Sequence, residues 1–195
     1  MKKTSQLEAI NTMLTALGQR PANSIAPPHG ADVATALLIL DEASREVQQR
    51  GWHFNTVVRT ETPNSTTGKL LVPANALRVD CTDTRIDLVQ VGDYLYDEKN
   101  DTFDLSSYTS LEIEYVFLRP WEDLPQPART YIMLRATRKH AARIRGESEL
   151  RSPSMDEVEA RADLEESDGN TADYNILTNW AHYRVVGRNT RFPRG

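Results

Sequence analysis

Cysteine is nearly absent from this chain: Cys81 is the only one in 195 residues. A single thiol excludes an internal disulfide and a cysteine zinc cluster, and it fits a reducing compartment. In its alternating apolar stretch, Cys81 reads as a small core residue rather than a nucleophile. Long apolar runs are lacking as well. None approaches the length that spans a bilayer, and the stretch behind Lys2 and Lys3 is too polar for a signal peptide. Without such a peptide, the sequon Asn64-Ser65-Thr66 is incidental. An excess of positive charge is also missing. The formal net charge is -5, which weighs against a general nucleic-acid binder, because neutralising phosphates needs net positive surface.

Catalytic signatures are lacking too. His29, His53, His140 and His182 include no i, i+4 pair and no H-E-x-x-H arrangement. There is no G-x-S-x-G, no phosphate-cradling glycine loop and no dinucleotide fingerprint. His140 falls on the apolar face of a helical stretch and reads as a core histidine. Asp and Glu are plentiful, but abundance without spacing does not make an acid–base pair. The residues therefore name no catalytic group, no cofactor site, no metal ligand and no cofactor.

What is present is scaffold. Ser5 to Leu17 reads as an amphipathic helix, with Leu7, Ile10, Leu14 and Leu17 at helical spacing. Ser5 and Glu8 form a capping box at its start, and Gly18 and Pro21 stop it. A connector over 18–31 contains Pro27-Pro28-His29-Gly30. A second helix spans about Asp32 to Arg50, with Val33, Ala36, Leu37, Leu40, Ala43 and Val47 on one stripe and Gly51 as its stop. Trp52 and Phe54 then alternate as a strand would. From Trp52 to Leu118, short apolar alternations are divided by turn residues. Val89, Val91, Leu95 and the tyrosines Tyr94 and Tyr96 flank Gly92-Asp93, and a glycine at the first central position suits a two-residue type II′ hairpin. Leu111, Ile113, Tyr115 and Phe117 alternate as a half-buried strand.

Helical pattern returns after Pro125 and Pro127, which suit a first turn. Met133, Ala136, Thr137, His140, Ala141 and Ile144 share one face, and Gly146 ends this third helix. A fourth starts near Ser152-Pro153-Ser154, with Ser154 and Glu157 as a second capping box; Gly169 ends or weakens it. The expected fold is α+β. An α-helical bundle forms from the N- and C-terminal helix pairs, residues 1–51 and 119–173. A small antiparallel β domain, 52–118, is inserted, and a C-terminal arm follows, 174–195. Neither helix pair alone offers enough apolar surface for a core.

Charge is unevenly spread. The third helix stacks Arg135, Lys139 and Arg143, with Arg138 and Arg145 nearby. The fourth carries Asp156, Glu159, Asp163 and Glu166 near one face. Two readings stand. In one, neighbouring helices simply lie charge beside charge, each surface pair being worth about 0–1 kcal/mol. Alternatively, Arg135, Lys139 and Arg143 meet Asp156, Glu159 and Asp163 across an interface between copies, where charge fixes register. In the arm, Trp180, Tyr183 and Phe192 interleave with Arg184, Arg188 and Arg191. These are residue types favoured at interface centres, so the arm reads as a docking element for a partner or a neighbouring subunit.

Several blocks occur in a recognisable order. They are Leu7-x-x-Ile10-Asn11 with Leu14 and Leu17-Gly18; Ile39-Leu40 through Arg50-Gly51-Trp52-x-Phe54-Asn55; Gly92-x-Tyr94-x-Tyr96-Asp97; Leu118-Arg119-Pro120-Trp121-Glu122-Asp123-Leu124-Pro125; and Tyr174-Asn175-x-Leu177. In their order and spacing the chain resembles the tail tubular protein A family, the adaptors or head-to-tail connectors of T7-like short-tailed bacteriophages. The resemblance implies a non-enzymatic structural protein of the virion tail, assembled in the host bacterial cytoplasm. It implies a homo-oligomeric ring of twelve copies that joins the portal protein to a tail nozzle protein of the tail tubular protein B type, with tail fibres as further partners. DNA would pass through the ring during ejection without specific binding, and no membrane would be involved. The rival readings are a tail-associated peptidoglycan hydrolase and a nucleic-acid-binding module.

Overall fold

The computed structural model describes residues 3–146 and 152–176, with side chains as far as Ala172. Four helices and five strands make it an α+β fold. Helix α1 spans Gln6–Ala16 and begins with the expected capping box: Glu8 N–H donates to Ser5 Oγ, and Ser5 N–H donates to the Glu8 carboxylate at 2.7 Å. Helix α2 spans Ala31–Gln48. Helix α3 spans Gln126–Arg145, with Pro127 in its first turn and Gly146 capping its end. Helix α4 spans Met155–Ile176. It runs straight through Gly169, because one poor helix former costs only about 1 kcal/mol against a long helix. Its expected capping box is half built. Glu157 N–H donates to Ser154 Oγ at 3.2 Å, but the Glu157 carboxylate turns away to Arg138.

The strands are β1 (Thr56–Glu61), β2 (Ala76–Cys81), β3 (Leu88–Val91), β4 (Tyr94–Asp97) and β5 (Leu111–Phe117). All pairings are antiparallel. One sheet has the order β1-β5-β2, and β3 and β4 form a separate hairpin. In β5, Leu111, Ile113, Tyr115 and Phe117 are buried as the alternation required. The hairpin turn is the expected one. Val91 pairs with Tyr94, and of the two loop residues only Gly92 has positive φ, +62°, the conformation its missing Cβ permits.

Two apolar cores result. Buried residues of α1, α2, α3 and α4 form one, together with Trp52, Trp121 and Leu124. The other draws on both sheets and the loops beside them, including Leu70, Val72, Cys81, Leu95, Leu105 and Tyr115. Helix α3 is central to the first and contacts the other three helices.

The passage from α2 to β1 departs from the expectation of a strand at Trp52. Residues 53–55 form a turn, and β1 begins only at Thr56. The turn is imposed by hydrogen bonding. Asn55 N–H donates to Trp52 C=O at 3.0 Å, and the Asn55 side chain accepts from Trp52 N–H at 2.8 Å. Asn55 Nδ2 then donates to the carbonyls of Gln48 and Phe117, at 3.0 and 2.9 Å. One buried amide thus binds the end of α2, the turn and the end of β5. Gly51 enters the turn at φ +80°, and a Cβ there would stand 3.2 Å from Val116 Cγ2.

A second buried knot holds the N-terminal segment. The Arg129 guanidinium donates to the carbonyls of Leu124, Thr4 and Glu122 at 3.0, 2.7 and 2.6 Å. Trp121 Nε1 donates to the same Thr4 carbonyl at 3.0 Å. A buried guanidinium is tolerated here because its donors find carbonyls.

Candidate assembly surfaces

The basic residues of α3 do not all face α4. Arg135 donates to Glu46 at 2.9 Å, Arg143 to Glu42 at 2.7 Å, and Lys139 to both glutamates. Glu42 and Glu46 are one turn apart on α2, so the stripe on α3 zips to α2 inside the same chain. The pairing with α4 runs through Glu157, which is buried and takes Arg138 together with a 3.6 Å contact from Arg135. Hydrogen bonds from Lys139 and then Arg143 hold the Glu42 carboxyl down to about 2. Burial would raise Glu46, but bonds from Lys139 and Arg135 outweigh it and keep it below its ordinary value.

With the basic stripe taken up by α2, the acidic stripe of α4 faces outward. Asp156, Glu159, Asp163 and Glu166 are all exposed, and none makes an ion pair among the described residues. The spacing +3, +7, +10 puts them on one side of the helix. Ala160 and Leu164, on the adjoining side, reach the core. Met155 and Val158 add exposed apolar surface at the start of α4, at 73% and 50%.

A second unusual surface lies on the β3–β4 hairpin. Leu71 bridges to Tyr94, and Tyr94 pairs with Val91 on its other side. Directly opposed residues share a face, so Leu71, Tyr94 and Val91 form one apolar row. All three are exposed. Lys69 Nζ lies 5.2 Å from the Tyr94 ring centroid and 5.4 Å from that of Phe103. The opposite face of the same strands carries the buried Leu70, Val72 and Leu95. This small ribbon is therefore apolar on both faces. The turn makes the hairpin legible in the sequence, whereas the outward row is signalled only by the unbroken apolar run Leu70-Leu71-Val72.

The remaining candidates are structural. Cys81 is buried among strand residues, and burial pushes its thiol up, away from thiolate chemistry. His140 is buried in the helical part. Burial depresses its imidazole despite Asp32 and a hydrogen bond with the Met13 backbone, and Nδ1 has no partner among the described residues. Asp97 is buried as well and accepts from Asn100 N–H, Asn100 Nδ2 and Tyr108 Oη at 2.9, 2.7 and 2.9 Å, so it organises the turn after β4. No cluster of histidine, cysteine or carboxylates among the described residues could hold a metal ion. No described helix is long and apolar enough to cross a membrane. Trp180, Tyr183, Arg184, Arg188, Arg191 and Phe192 lie outside the described residues.

A family model described as tail tubular protein matches residues 7–174. The chain belongs to the tail tubular protein family. It is a structural protein of a phage tail, and its place is the tail of the virion. No curated protein matches it. The matched range takes in all four helices nearly whole and both sheets. The motif residues within it act as scaffold: Trp52, Asn55, Asp97 and Trp121 are all buried and hydrogen-bonded.

Proposed function

We propose that this protein is the adaptor of a head–tail connector. Copies form a ring, twelve by family resemblance, that joins the capsid portal to the tail nozzle and lines part of the path taken by DNA. The observation that carries the reading is the tail tubular family match over residues 7–174. Two features favour a ring. The chain presents two unlike surfaces, the acidic outer side of α4 and the apolar row on the hairpin. A closed ring joins unlike surfaces head to tail, unlike a two-fold dimer. Exposed apolar rows of this kind mark contact sites.

In this reading the body is the helical bundle of residues 1–51 and 119–173, with 52–118 inserted. Asp156, Glu159 and Asp163 meet the neighbouring copy. Arg135, Lys139 and Arg143 act behind that contact by holding α2 and α3 together, and Arg143 is exposed enough to reach across it. The arm, with Trp180, Tyr183, Arg184, Arg188, Arg191 and Phe192, engages the portal through aromatic anchors and charge-assisted hydrogen bonds. DNA slides past the acidic chain without specific contacts, because strong phosphate binding would arrest it.

The test is electron microscopy of the purified protein alone and mixed with portal rings. Rings capping the portal are expected. Deleting residues 178–195 should leave the body folded and abolish attachment. Normal loading of the truncated protein, or no loading of the intact one, refutes the assignment. Peptidoglycan cleavage, or tight salt-sensitive binding of duplex DNA, would favour the rival readings.

A further inference from the structure

A cleft of about 300 Å³ opens between α3 and α4, beside the end of α2. Tyr131, Val158, Ala162 and Pro153 give it apolar walls. Three guanidinium groups, of Arg50, Arg135 and Arg161, and the carboxylates of Glu157 and Glu165 complete its lining. Arg161 donates to Glu165 at 2.8 Å, whereas the Arg50 guanidinium has no ion pair among the described residues. Apolar walls with guanidinium groups suit an aromatic ring, which packs on the former and takes a cation against its face. Around the helix from the cleft lie the exposed carboxylates of Glu159, Asp163 and Glu166. The complement to this surface is an aromatic residue flanked by cations.

The chain carries such a segment in Arg184, Arg188, Arg191 and Phe192. We propose that these residues fold back along α4 of the same chain, with Phe192 in the cleft and the arginines over the acidic carboxylates. Reach and flanking charge together select the anchor: Tyr183 extends only about 23 Å beyond Ile176 and has an arginine on one side alone, whereas Phe192 lies between Arg191 and Arg194. Ala162 lies 14 residues before the end of α4 at Ile176, or about 21 Å back along the axis. Trp180 is four residues past that end and extends only about 13 Å, so it falls short. Phe192 commands more than about 50 Å of chain and arrives easily. A segment so placed covers the α4 side that a neighbouring copy would use. The inference concerns the isolated chain and does not depend on the adaptor reading.

The test replaces Phe192 of the full-length protein with photoreactive p-benzoylphenylalanine, which keeps an aromatic ring. The dilute protein is irradiated without portal, and the cross-linked peptides are mapped. Expected is a cross-link in the monomer band to the peptide containing Val158 and Ala162. The same group at position 180 should not reach that peptide. The double variant Glu159→Lys/Glu166→Lys, both positions exposed, should lower the yield about fivefold or more, since two favourable contacts become repulsive. A cross-link found only in dimers, one mapped away from α4, or none at all overturns the proposal, as does a yield indifferent to the charge reversal. A failed ring assembly beside a positive cross-link would count against the adaptor reading alone.

Discussion

Gln48 and Arg119 lie 71 residues apart and are joined as two paired strands would be. Gln48 Nε2 donates to the Arg119 carbonyl at 3.0 Å, and Arg119 N–H donates to Gln48 Oε1 at 2.7 Å. The second hydrogen of the amide goes to Ser44 Oγ at 2.9 Å. A fully buried side chain at the end of α2 thereby satisfies the backbone just beyond β5, where the chain leaves the sheet for the helices.

Truncating this amide should therefore cost more than its surface area suggests. Gln48→Ala leaves both backbone groups of Arg119 without protein partners, at about 1–3 kcal/mol for each group that stays buried. A loss of about 2–4 kcal/mol is expected in urea unfolding. Gln48→Glu keeps the acceptor for Arg119 N–H but places a carboxylate beside the Arg119 carbonyl, so it should not restore stability. A melting curve unchanged by Gln48→Ala would show that the contact adds nothing.

Trp52→Ala should lose about 3–5 kcal/mol. The indole is 7% exposed within the helical core, and its Nε1 donates to Val47 C=O at 2.7 Å. The substitution removes both packing and the partner of that carbonyl. Phe54 is only partly buried against the same core, so Phe54→Ala should cost distinctly less. Equal losses at the two positions would show that burial is not what separates them.

These two joints show where sequence reading stops. The apolar stripes of α1, α2 and α3, the glycine stops and the Gly92 hairpin are local, and each was legible from spacing within one element. Gln48 and Asn55 were not. Each looks like an ordinary polar residue near an element boundary, and the partner that ties it to the far side of the sheet, Arg119 or Phe117, lies 71 or 62 residues away. Asn55 also explains why Trp52 and Phe54 looked like strand residues: the side-chain bond that bends them into a turn leaves no trace in apolar alternation. The basic stripe on α3 was visible, but its partner was not. Glu42 and Glu46 on α2 compete for it with the acids of α4, and only the packing of α2 against α3 decides between them.

Tyr115→Phe should be neutral or stabilising. Tyr115 lies fully buried in β5, and its hydroxyl has no hydrogen-bond partner among the described residues. Burial pushes the phenol up to about 12. Removing an unsatisfied polar group recovers its desolvation cost and leaves the ring, stacked on Phe117 at 5.4 Å, in place. A loss above about 1 kcal/mol in thermal unfolding would mean that the hydroxyl has a bound partner, such as an ordered water.

The α2–α3 zip should make the protein sensitive to acid in a defined window. Glu42 has an ordinary value of 4.5 and is held at about 2 in the fold, first by Lys139 and then by Arg143. A carboxyl depressed by folding contributes stability that is fully present above its unfolded value. The contribution is lost as pH falls, because the unfolded chain takes up the proton first. Stability should therefore decline between about pH 4.5 and pH 2, with Glu46 adding to the decline in the same direction. The Glu42 side chain is 39% exposed, so solvent and salt screen the pair and its share at neutral pH is small. Glu42→Gln should accordingly change the melting temperature little at pH 7 and flatten its fall below pH 4.5. Added salt should do the same to the unsubstituted protein. A variant that loses stability at pH 7 yet keeps the full acid slope would place the acid sensitivity in other carboxylates.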